Sequence, residues 1–598
     1  MTPVLTAATR PGTALDVAER LLRHTADGLP GGAYLVRGAA RCAVDWAGPV
    51  GAELPDERAV QAVCGIMHVH GRATGGPLPL AVDYASAVAG VLAAQGTTAL
   101  LLARARGLAL TEARTSVAQG ALLALAQYLA AATAPYDPDA EAGPARPAGA
   151  DPVAGGLATL VSAEGVRLEA ETLDPGAWRR FWAGLDVAPE VAGHGWWPFQ
   201  QRFATAVCPL PQALRDAARA APLAALRAAA DTAGVSLLVI GDDPSPAAVP
   251  PPWLDTPAPA PRGATAPRCA AGPAAPGTAV LPLRGLRVVE STRRVQGPLT
   301  GHLLRLLGAD IVRVEPPGGD PMRWLAPLAG DCSARFTALN AGKDVVEADL
   351  TTAAGRKTVL ALAADADVFL HNWAPGKAAR FGLDAPGMLA ASPALVCAWA
   401  AGFGPGTDGR GLLGTDYLAQ VRGGLAAAVR PLGTPAAPSL MTLTDVLGGL
   451  VCAQGVLAAL LAREGTRRGR AVVSSLESAA ALVPRAAHRV RWTPWDLPLR
   501  TADGYVCPGP DARSQPEALA RLLGPGADPS AGPSGRLRAM DSAAVISRLA
   551  GAGLSAVPVR TDLATLPDDP AFQAAVVPAD PTAPSRACAR PTAPWEFA

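Results

Sequence analysis

One aspartate stands out by its position in the chain. Asp445 lies in LMTLTDVLGG, directly before a long apolar stretch that predicts a buried helix. Asp is a favoured helix N-cap residue, and the positive end of a helix stabilises an ionised carboxylate by about 0.3–1 kcal/mol. An ionised carboxylate can also attack a carbonyl carbon and form a covalent intermediate. The position therefore fits two compatible roles, capping and nucleophilic catalysis.

The apolar stretch after Asp445 has a partner in the first half of the chain. AQGTTALLLAR at 94–104 and AQGVLAALLAR at 453–463 are identical at eight of eleven positions. Asp83 precedes the first copy as Asp445 precedes the second, and we predict that Asp83 only caps its helix. Two further pairs recur in the same order, AEGV with ADGY and AGVS with AGLS. The first half therefore resembles an incomplete second copy of the same module.

The segment before Asp445 alternates between strand and helix patterns. GLRVVE, ADIVRVE, DVVEADL and ADVFLHN predict strands, and GPLTGHLLRLLG predicts a helix that Gly308 ends. Such alternation predicts an α/β fold with a parallel sheet. Ligands of these sheets bind beyond the carboxyl ends of the strands, where EST, EPP and HNW fall.

Length and composition limit the classes of protein. A chain of 598 residues predicts two or more domains. Its 52 Lys and Arg against 51 Asp and Glu give no basic excess for nucleic acid, so small-molecule partners are favoured. The nine cysteines are scattered without metal-ligand spacing and predict reduced thiols in a cytoplasmic protein. The apolar windows 85–102 and 446–462 are rich in Ala and predict buried helices rather than membrane spans.

Pro- and Ala-rich stretches suggest the domain boundaries. The clearest is 242–280, which we predict to be a linker without a regular packed element. It separates an incomplete module, 1–241, from a complete one, 281–598. We expect a helical part at 1–134 and a small domain at 153–241 in the first module, and a sheet domain at 281–480 with a small domain and return segment at 501–598 in the second.

The motifs of 281–478 occur together in one order. LPLRGLRVVESTRRVQGP, RVEPPGGDP, LNAGKDVVEADL, DVFLHNWAPG, GTDYLAQ and LTDVLGG resemble the class III CoA-transferase family, which includes formyl-CoA transferase, carnitine CoA-transferase and α-methylacyl-CoA racemase. The resemblance implies a Rossmann-like sheet domain with a smaller α+β domain. It also implies transfer of CoA from an acyl-CoA to a carboxylic acid, with Asp445 as the nucleophile, through an aspartyl anhydride and an aspartyl-CoA thioester, without a metal.

The resemblance also implies which residues contact coenzyme A. Cations would meet its phosphates, and aromatic or apolar surfaces would meet adenine or pantetheine. Solvated surface charges are the alternative for the arginines, and a turn-forming residue at a helix start is the alternative for the aspartate. The implied contacts are Arg293, Arg294, Val295, Ala348, Asn372, Trp373, Arg380, Phe381 and Asp416.

Two other functions stay open. Racemases of the family pair the aspartate at position 445 with a histidine where this chain has Thr415, and threonine does not exchange protons near neutral pH. An acyl-CoA racemase or isomerase is therefore less favoured than a transferase. The other alternative is an inactive homologue that binds CoA and acts as a scaffold.

The family resemblance implies a paired assembly. Its members form interlocked pairs in which each chain closes its partner's site, and a tandem chain could supply both partners by itself. We therefore predict a pseudo-dimer within one chain, with residues 165–211 of the first half helping the site near Asp445; a further homodimer stays open. The stretch 478–501 is short and shows no glycine-rich covering loop, which also favours covering by the first half.

Overall fold

The computed structural model describes residues 11–29, 42–135, 156–245, 249–259, 280–405, 411–523, 537–580, 582–583 and 586–598. In the first half the helices and strands are, in chain order, α1 Gly12–Asp27, β1 Cys42–Asp45, α2 Glu57–Cys64, α3 Ile66–Gly71, α4 Tyr84–Ala105, β2 Ala113–Ser116, α5 Val117–Ala124, α6 Ala126–Ala132, β3 Leu160–Val161, β4 Arg167–Glu171, α7 Pro175–Ala183, α8 Pro189–Thr205, α9 Gln212–Ala220, α10 Leu223–Ala233, β5 Ser236–Val239 and β6 Trp253–Pro257.

The second half continues the series. Its elements are β7 Arg287–Ser291, α11 Gln296–Leu306, β8 Asp310–Glu315, β9 Leu328–Ala329, β10 Cys332–Ser333, α12 Ala334–Asn340, β11 Asp344–Glu347, α13 Ala353–Ala364, β12 Val368–His371, α14 Lys377–Phe381, α15 Ala385–Ala391, β13 Val396–Ala401, α16 Asp416–Arg422, α17 Leu425–Ala428, α18 Leu443–Thr466, β14 Arg470–Ser475, α19 Leu476–Ala480, β15 Leu499–Arg500, β16 Tyr505–Pro508, α20 Pro510–Arg513, α21 Pro516–Leu523, α22 Ser542–Ala550, β17 Ala556–Pro558, β18 Val576–Val577, β19 Arg590–Pro591 and β20 Glu596–Phe597.

A seven-stranded sheet forms the centre of the second half. Its order is β11-β8-β7-β12-β13-β14-β6, and the neighbours from β11 to β14 are parallel. The predicted strands are β7, β8, β11 and β12, and the predicted helix is α11, followed by Gly308 at a φ of +104°. The α/β fold with a large parallel sheet is therefore confirmed.

The last strand of this sheet comes from the predicted linker. β6 pairs antiparallel with β14, and its first residue, Trp253, is buried. The expectation that 242–280 holds no regular packed element is therefore wrong for Trp253–Pro257, because pairing with β14 and burial of one indole order a segment whose composition favours a linker. Residues 246–248 and 260–279 of that stretch lie outside the described residues.

The two long apolar stretches are helices that pack against each other in the core. α4 and α18 are each long and apolar enough to cross a membrane, but most of their residues are buried inside the protein, as predicted. Their glutamines bridge them: Gln95 Nε2 donates to the carbonyl of Leu450 at 2.6 Å, and Gln454 Nε2 donates to Thr98 Oγ1 at 3.0 Å. The two halves therefore share one core.

Each half also carries a small three-stranded sheet. The order β3-β4-β5 in the first half matches β15-β16-β17 in the second, and all of these neighbours are antiparallel. The AGVS and AGLS motifs lead into the third strand of each sheet, and their glycines, Gly234 and Gly553, share a left-handed backbone with φ of +76° and +74°. The described residues 499–523 and 537–558 thus form a small α+β unit with helices α20–α22.

The end of the chain returns to the first half. β20 pairs antiparallel with β2, which is itself parallel to β1. The indole Nε1 of Trp595 donates to the carbonyl of Leu92 in α4 at 2.8 Å. The C-terminal segment therefore ties the second half to the first.

Candidate active site

Asp445 lies in the first turn of α18, and another residue caps that turn. Asp416 Oδ1 accepts the backbone N–H groups of Thr444 at 2.6 Å and Asp445 at 2.9 Å. The same carboxylate accepts from the Thr444 hydroxyl and from Gln420 Nε2. Capping therefore falls to Asp416, and no described residue donates a hydrogen bond to the half-buried carboxylate of Asp445.

Two glycines of LTDVLGG bring α11 close to the start of α18. A Cβ on Gly449 would lie 2.7 Å from the carbonyl oxygen of Gln296, and one on Gly448 would lie 2.9 Å from its amide nitrogen. Thr300 Oγ1 adds a hydrogen bond of 3.0 Å to the Gly449 carbonyl. Only glycine permits this approach, which places the start of α11, directly after the 293–295 loop, against the second turn of α18.

The environment of Asp445 makes its carboxyl group less acidic. Burial raises its pKa well above the ordinary aspartate range, the negative charges of Asp416 and Glu171 raise it further, and Arg294 opposes them. Burial likewise raises the pKa of Asp416 to about 6, although its hydrogen-bond donors act in the other direction. Two neighbouring carboxyl groups thus compete for ionisation, a pattern common at functional sites.

The first half contributes residues to this region. Glu171, at the end of β4, is buried and forms an ion pair of 2.8 Å with Arg202 of α8. The Arg202 guanidinium lies 4.5 Å from the ring centroid of Tyr417, the residue after Asp416. The Tyr128 hydroxyl donates to the carbonyl of Phe203 at 2.9 Å. β4 and α8 of the first half therefore form one wall beside Asp445.

Three cationic residues, Arg293, Lys377 and Arg380, lie near one another at the carboxyl ends of β7 and β12. Arg293 and Asn372 join the two loops, since the Arg293 N–H donates to Asn372 Oδ1 at 2.9 Å and Asn372 Nδ2 donates to the Arg293 carbonyl at 2.8 Å. Partial burial lowers the pKa of Lys377, and the positive charges of Arg293 and Arg380 lower it further. None of the three forms an ion pair with a carboxylate in the described part of the chain, so the group is suited to bind an anion. The motif residues did not point to Lys377, although HNWAPGK contains it.

The apolar residues predicted to contact coenzyme A differ in exposure. Phe381 is half-buried, and Lys377 Nζ lies 5.5 Å from its ring centroid. Trp373 is 9% exposed and packs edge-on against Phe381 at 5.4 Å. Val295 is buried in the main core and Ala348 in the smaller core beside β11. The side chain of Val295 is therefore closed to a ligand, and a contact of this residue with coenzyme A would have to come from its backbone.

The remaining predicted contacts also divide. Arg294 is exposed, with its guanidinium 5.7 Å from the Phe203 ring centroid, and its positive charge lowers the pKa of Asp445. Asp416 is 3% exposed and its oxygens are occupied by the donors described above. Direct contact of Asp416 with coenzyme A does not fit this geometry, because the carboxylate positions the start of α18 instead.

The lysine of LNAGK has a structural role. Lys343 Nζ is fully buried and donates to Glu290 Oε1 at 2.9 Å, to the Pro298 carbonyl at 2.8 Å and to Asn340 Oδ1 at 3.0 Å. Burial lowers its pKa to about 8, while Glu290 opposes that shift. Glu290 also pairs with the buried Arg313 at 2.9 Å. This cluster locks β7, α11 and α12 together beneath the 293–295 loop.

Asp83 does not occupy the place that Asp445 has in the second half. Its side chain makes no cap hydrogen bond and accepts instead from Thr13 Oγ1 at 2.9 Å, so the predicted cap role is wrong. Glu57 caps α4 by accepting the N–H groups of Ala85 at 2.9 Å and Ser86 at 2.8 Å. The ungapped register of the repeat places Glu57 opposite Asp416 and Ser86 opposite Asp445. At this position the first half carries Ser86, a buried serine whose hydroxyl donates to Glu57 Oε2 at 2.7 Å, and the second half carries the Asp445 carboxylate.

Two cavities of the described region lie away from Asp445. One of about 830 Å³ is lined by residues that include Arg167, Asp242 and Arg489. Another of about 290 Å³ lies beside His24 and Trp253. Neither includes Asp445 or the three cations. The candidate site is placed instead by Asp445 at the start of α18, together with Arg294 of the 293–295 loop and Glu171 of the first half, whose charges act on Asp445.

The fold and the site together define a class: a parallel α/β sheet that presents cations at its carboxyl edge, with a carboxylate at a helix start that has no hydrogen-bond donor among the described residues. Residues 283–552 match the model of CoA-transferase family III. Over these residues the chain is therefore similar to that family, the resemblance that its motifs predicted.

Individual relatives share part of the chain. It is 32% identical over 208 residues to an acetyl-CoA:oxalate CoA-transferase of Acetobacter aceti, covering 34% of this chain and 54% of that protein. It is 30% identical over 261 residues to a succinyl-CoA:glutarate CoA-transferase of Mus musculus, covering 40% and 59%. A solved CAIB/BAIF family protein of Brucella suis is 26% identical, with a TM-score of 0.44 over 50% of this chain and 89% of that one. The chain thus spans little more than half of the curated relatives it matches.

Proposed function

We propose that this protein transfers CoA from an acyl-CoA to a carboxylic acid, with Asp445 as the covalent nucleophile. The observation that carries the proposal is the Asp445 carboxylate, half-buried at a helix start, without a hydrogen-bond donor among the described residues. A carboxylate that only stabilised the fold would have donors around it, as Asp416 has.

The first half-reaction acylates the protein. An Asp445 oxygen attacks the thioester carbonyl of the donor, the carbon–sulfur bond breaks, and CoA leaves as a thiolate, which gives a mixed anhydride. The thiolate then attacks the Asp445 carbonyl carbon and releases the donor acid, which leaves an aspartyl-CoA thioester. The positive end of α18 favours the ionised carboxylate that begins this sequence.

The second half-reaction is the reverse with a new acid. The acceptor carboxylate attacks the aspartyl-CoA carbonyl carbon and displaces CoA thiolate, which gives a second anhydride. The thiolate attacks the acceptor carbonyl of that anhydride, and Asp445 is restored as a carboxylate. Each bond formed replaces one of similar energy, so no metal or nucleotide is needed.

We further propose that the two halves arose by duplication and act as a pseudo-dimer with one working site. Support comes from matched contacts: Gln61 Oε1 accepts the Leu80 N–H at 2.8 Å, and Gln420 Oε1 accepts the Ser439 N–H at 2.9 Å. Ser86, in place of Asp445, leaves the first half without a carboxylate at the position of the proposed nucleophile. The wall of β4 and α8 then serves to keep water from the intermediate.

A test of the function uses a panel of acyl-CoA donors with labelled free CoA. The two-step route predicts that label enters the donor without any acceptor acid, because the first half-reaction is reversible. Acceptor acids should then yield new thioesters without net hydrolysis. Deuterium entry at the α-carbon without CoA exchange would instead identify a racemase, and CoA binding without either reaction would identify a scaffold.

A pH profile tests the contribution of the first half. Glu171→Gln removes a negative charge that raises the pKa of Asp445. Since the nucleophile must be ionised, we expect the acidic limb of kcat/KM to move to lower pH. Glu164→Gln, an exposed site in the turn before β4, is the control and should leave the limb in place. A folded Glu171→Gln variant whose acidic limb of kcat/KM stays at the wild-type pH would contradict a role for the first half.

The cationic group at the strand ends should bind phosphate. We expect Lys377→Gln to raise the KM for acyl-CoA about tenfold, since a charge-assisted hydrogen bond is worth about 1.5–3 kcal/mol. The KM for the matching acyl-pantetheine, which lacks the nucleotide, should not change. Lys357→Gln, at an exposed site on α13, is the matched control. An equal effect on both thioesters would show that Lys377 does not contact the nucleotide.

A further inference from the structure

Arg294 has a backbone conformation that its sequence neighbours do not share. Its φ is +65°, a left-handed value that costs a residue other than glycine about 1–2 kcal/mol. Strain of this kind persists where the surrounding structure imposes it, and it concentrates at functional sites. Here it turns consecutive side chains apart, so that Arg293 joins Lys377 and Arg380 while Arg294 faces the first half.

The surroundings of Arg294 place it at the reacting end of the site. Its guanidinium lies over the Phe203 ring of α8, and Phe203 follows Arg202, which lies against Tyr417. From the other side, the close contact of Gln296 with Gly449 brings the loop to the second turn of α18, one helical turn beyond Asp445. Arg294 therefore lies on the rim between the nucleophile and the wall that the first half provides.

The charges nearby leave Arg294 without an anion of its own. Glu171 is paired with Arg202 at 2.8 Å, and Asp416 is occupied by the donors of α16 and α18. No carboxylate among the described residues lies within ion-pair distance of Arg294. An exposed guanidinium, supported by an aromatic ring, binds a carboxylate in a planar two-point arrangement.

From this arrangement we propose that Arg294 binds the distal carboxylate of the acid substrate, so that the preferred acceptors are short dicarboxylates. One carboxylate of the acid attacks the aspartyl-CoA carbonyl on Asp445 while the other rests on Arg294. The inference depends on the proposed CoA transfer, and it assigns Arg294 to the acid rather than to the coenzyme phosphates. It agrees with the oxalate and glutarate named for two relatives.

The test compares acids of equal chain length in the full-length protein. The pairs are succinate with butyrate and glutarate with valerate, each with a donor that exchanges labelled CoA. Wild type should prefer the dicarboxylate, and Arg294→Gln should lower its kcat/KM for dicarboxylates at least tenfold, mainly through KM. At a pH above the acidic limb, the monocarboxylates and the KM of the donor should be unaffected; the limb itself should move to higher pH for both kinds of acid, because the charge of Arg294 lowers the pKa of Asp445. Arg294→Lys keeps the charge but loses the planar fork, so its kcat/KM for dicarboxylates should lie between those of wild type and Arg294→Gln.

Two variants serve as controls. Arg294→Gly relieves the left-handed strain, so it should fold at least as well as wild type and show the same loss of preference. Arg227→Gln, at an exposed site on α10, should keep the wild-type preference. Equal loss with both acids, a raised KM for the donor, or a wild type without preference would overturn the inference. Failure of wild type to exchange labelled CoA, which needs no acceptor, would instead overturn the proposed function itself.

Discussion

Asp445→Asn should lower the kcat of CoA exchange by roughly 10³-fold or more. An amide cannot attack a thioester, so replacing the carboxylate removes the covalent route. The change keeps the shape of the side chain, and the cap of α18 belongs to Asp416. The thermal midpoint should therefore stay close to that of wild type. The measurement is the rate at which labelled CoA enters the donor thioester.

Asp83→Asn is the matched control for this variant. Asp83 also precedes a long apolar helix, but its side chain is exposed and, among the described residues, accepts from Thr13. We expect wild-type exchange from it. If Asp445→Asn retained more than a few per cent of the exchange while Asp83→Asn lost it, the nucleophile would be wrongly assigned.

Lys343→Met should destabilise the fold by about 3–5 kcal/mol, because it leaves Glu290 buried beside one cation instead of two. Glu290 Oε2 already lacks a hydrogen-bond partner within the described structure. Since Lys343 holds α12 and α11 to β7, the loss should appear in the free energy of unfolding measured by denaturant titration.

Two further variants isolate the cause. Glu290→Gln combined with Lys343→Met should recover part of the stability. The buried carboxylate that loses Lys343 as a partner is then removed as well. Lys357→Met, on the exposed face of α13, should change the free energy of unfolding by less than about 0.5 kcal/mol. Equal stability of Lys343→Met and Lys357→Met would contradict the buried cluster.

Much of the parallel sheet could be predicted from sequence because its signals are local. β7, β8 and β12 are short apolar runs next to turn residues, and Gly308 marks the end of the α11 region through its left-handed backbone. The same locality explains why α4 and α18 were expected to be buried.

The errors concern partners that are distant in the chain. β6 exists because β14 pairs with it and Trp253 is buried, and composition alone cannot indicate that. The cap of α18 comes from Asp416, 29 residues away, so inspection of the helix start pointed to the wrong residue. In the first half Asp83 is the nearest aspartate to the helix, but the repeat register points to Ser86.

The candidate site was predicted in part. Asn372, Arg293 and Arg380 do lie at the carboxyl ends of the strands, where a parallel sheet places ligands. Lys377 lies directly after HNWAPG, where none of the motif residues indicates a phosphate contact. The separation of Arg293 from Arg294 depends on a single left-handed residue, which no pattern of residue types reveals.

The most direct test is chemical trapping of Asp445. The protein is incubated with an acyl-CoA donor, treated with hydroxylamine, digested, and examined by peptide mass spectrometry. We predict an aspartyl hydroxamate at Asp445 that forms only when the donor is present and is absent from Asp445→Asn. A donor that exchanges labelled CoA without any adduct at Asp445, or with an adduct on another side chain, would contradict the central claim.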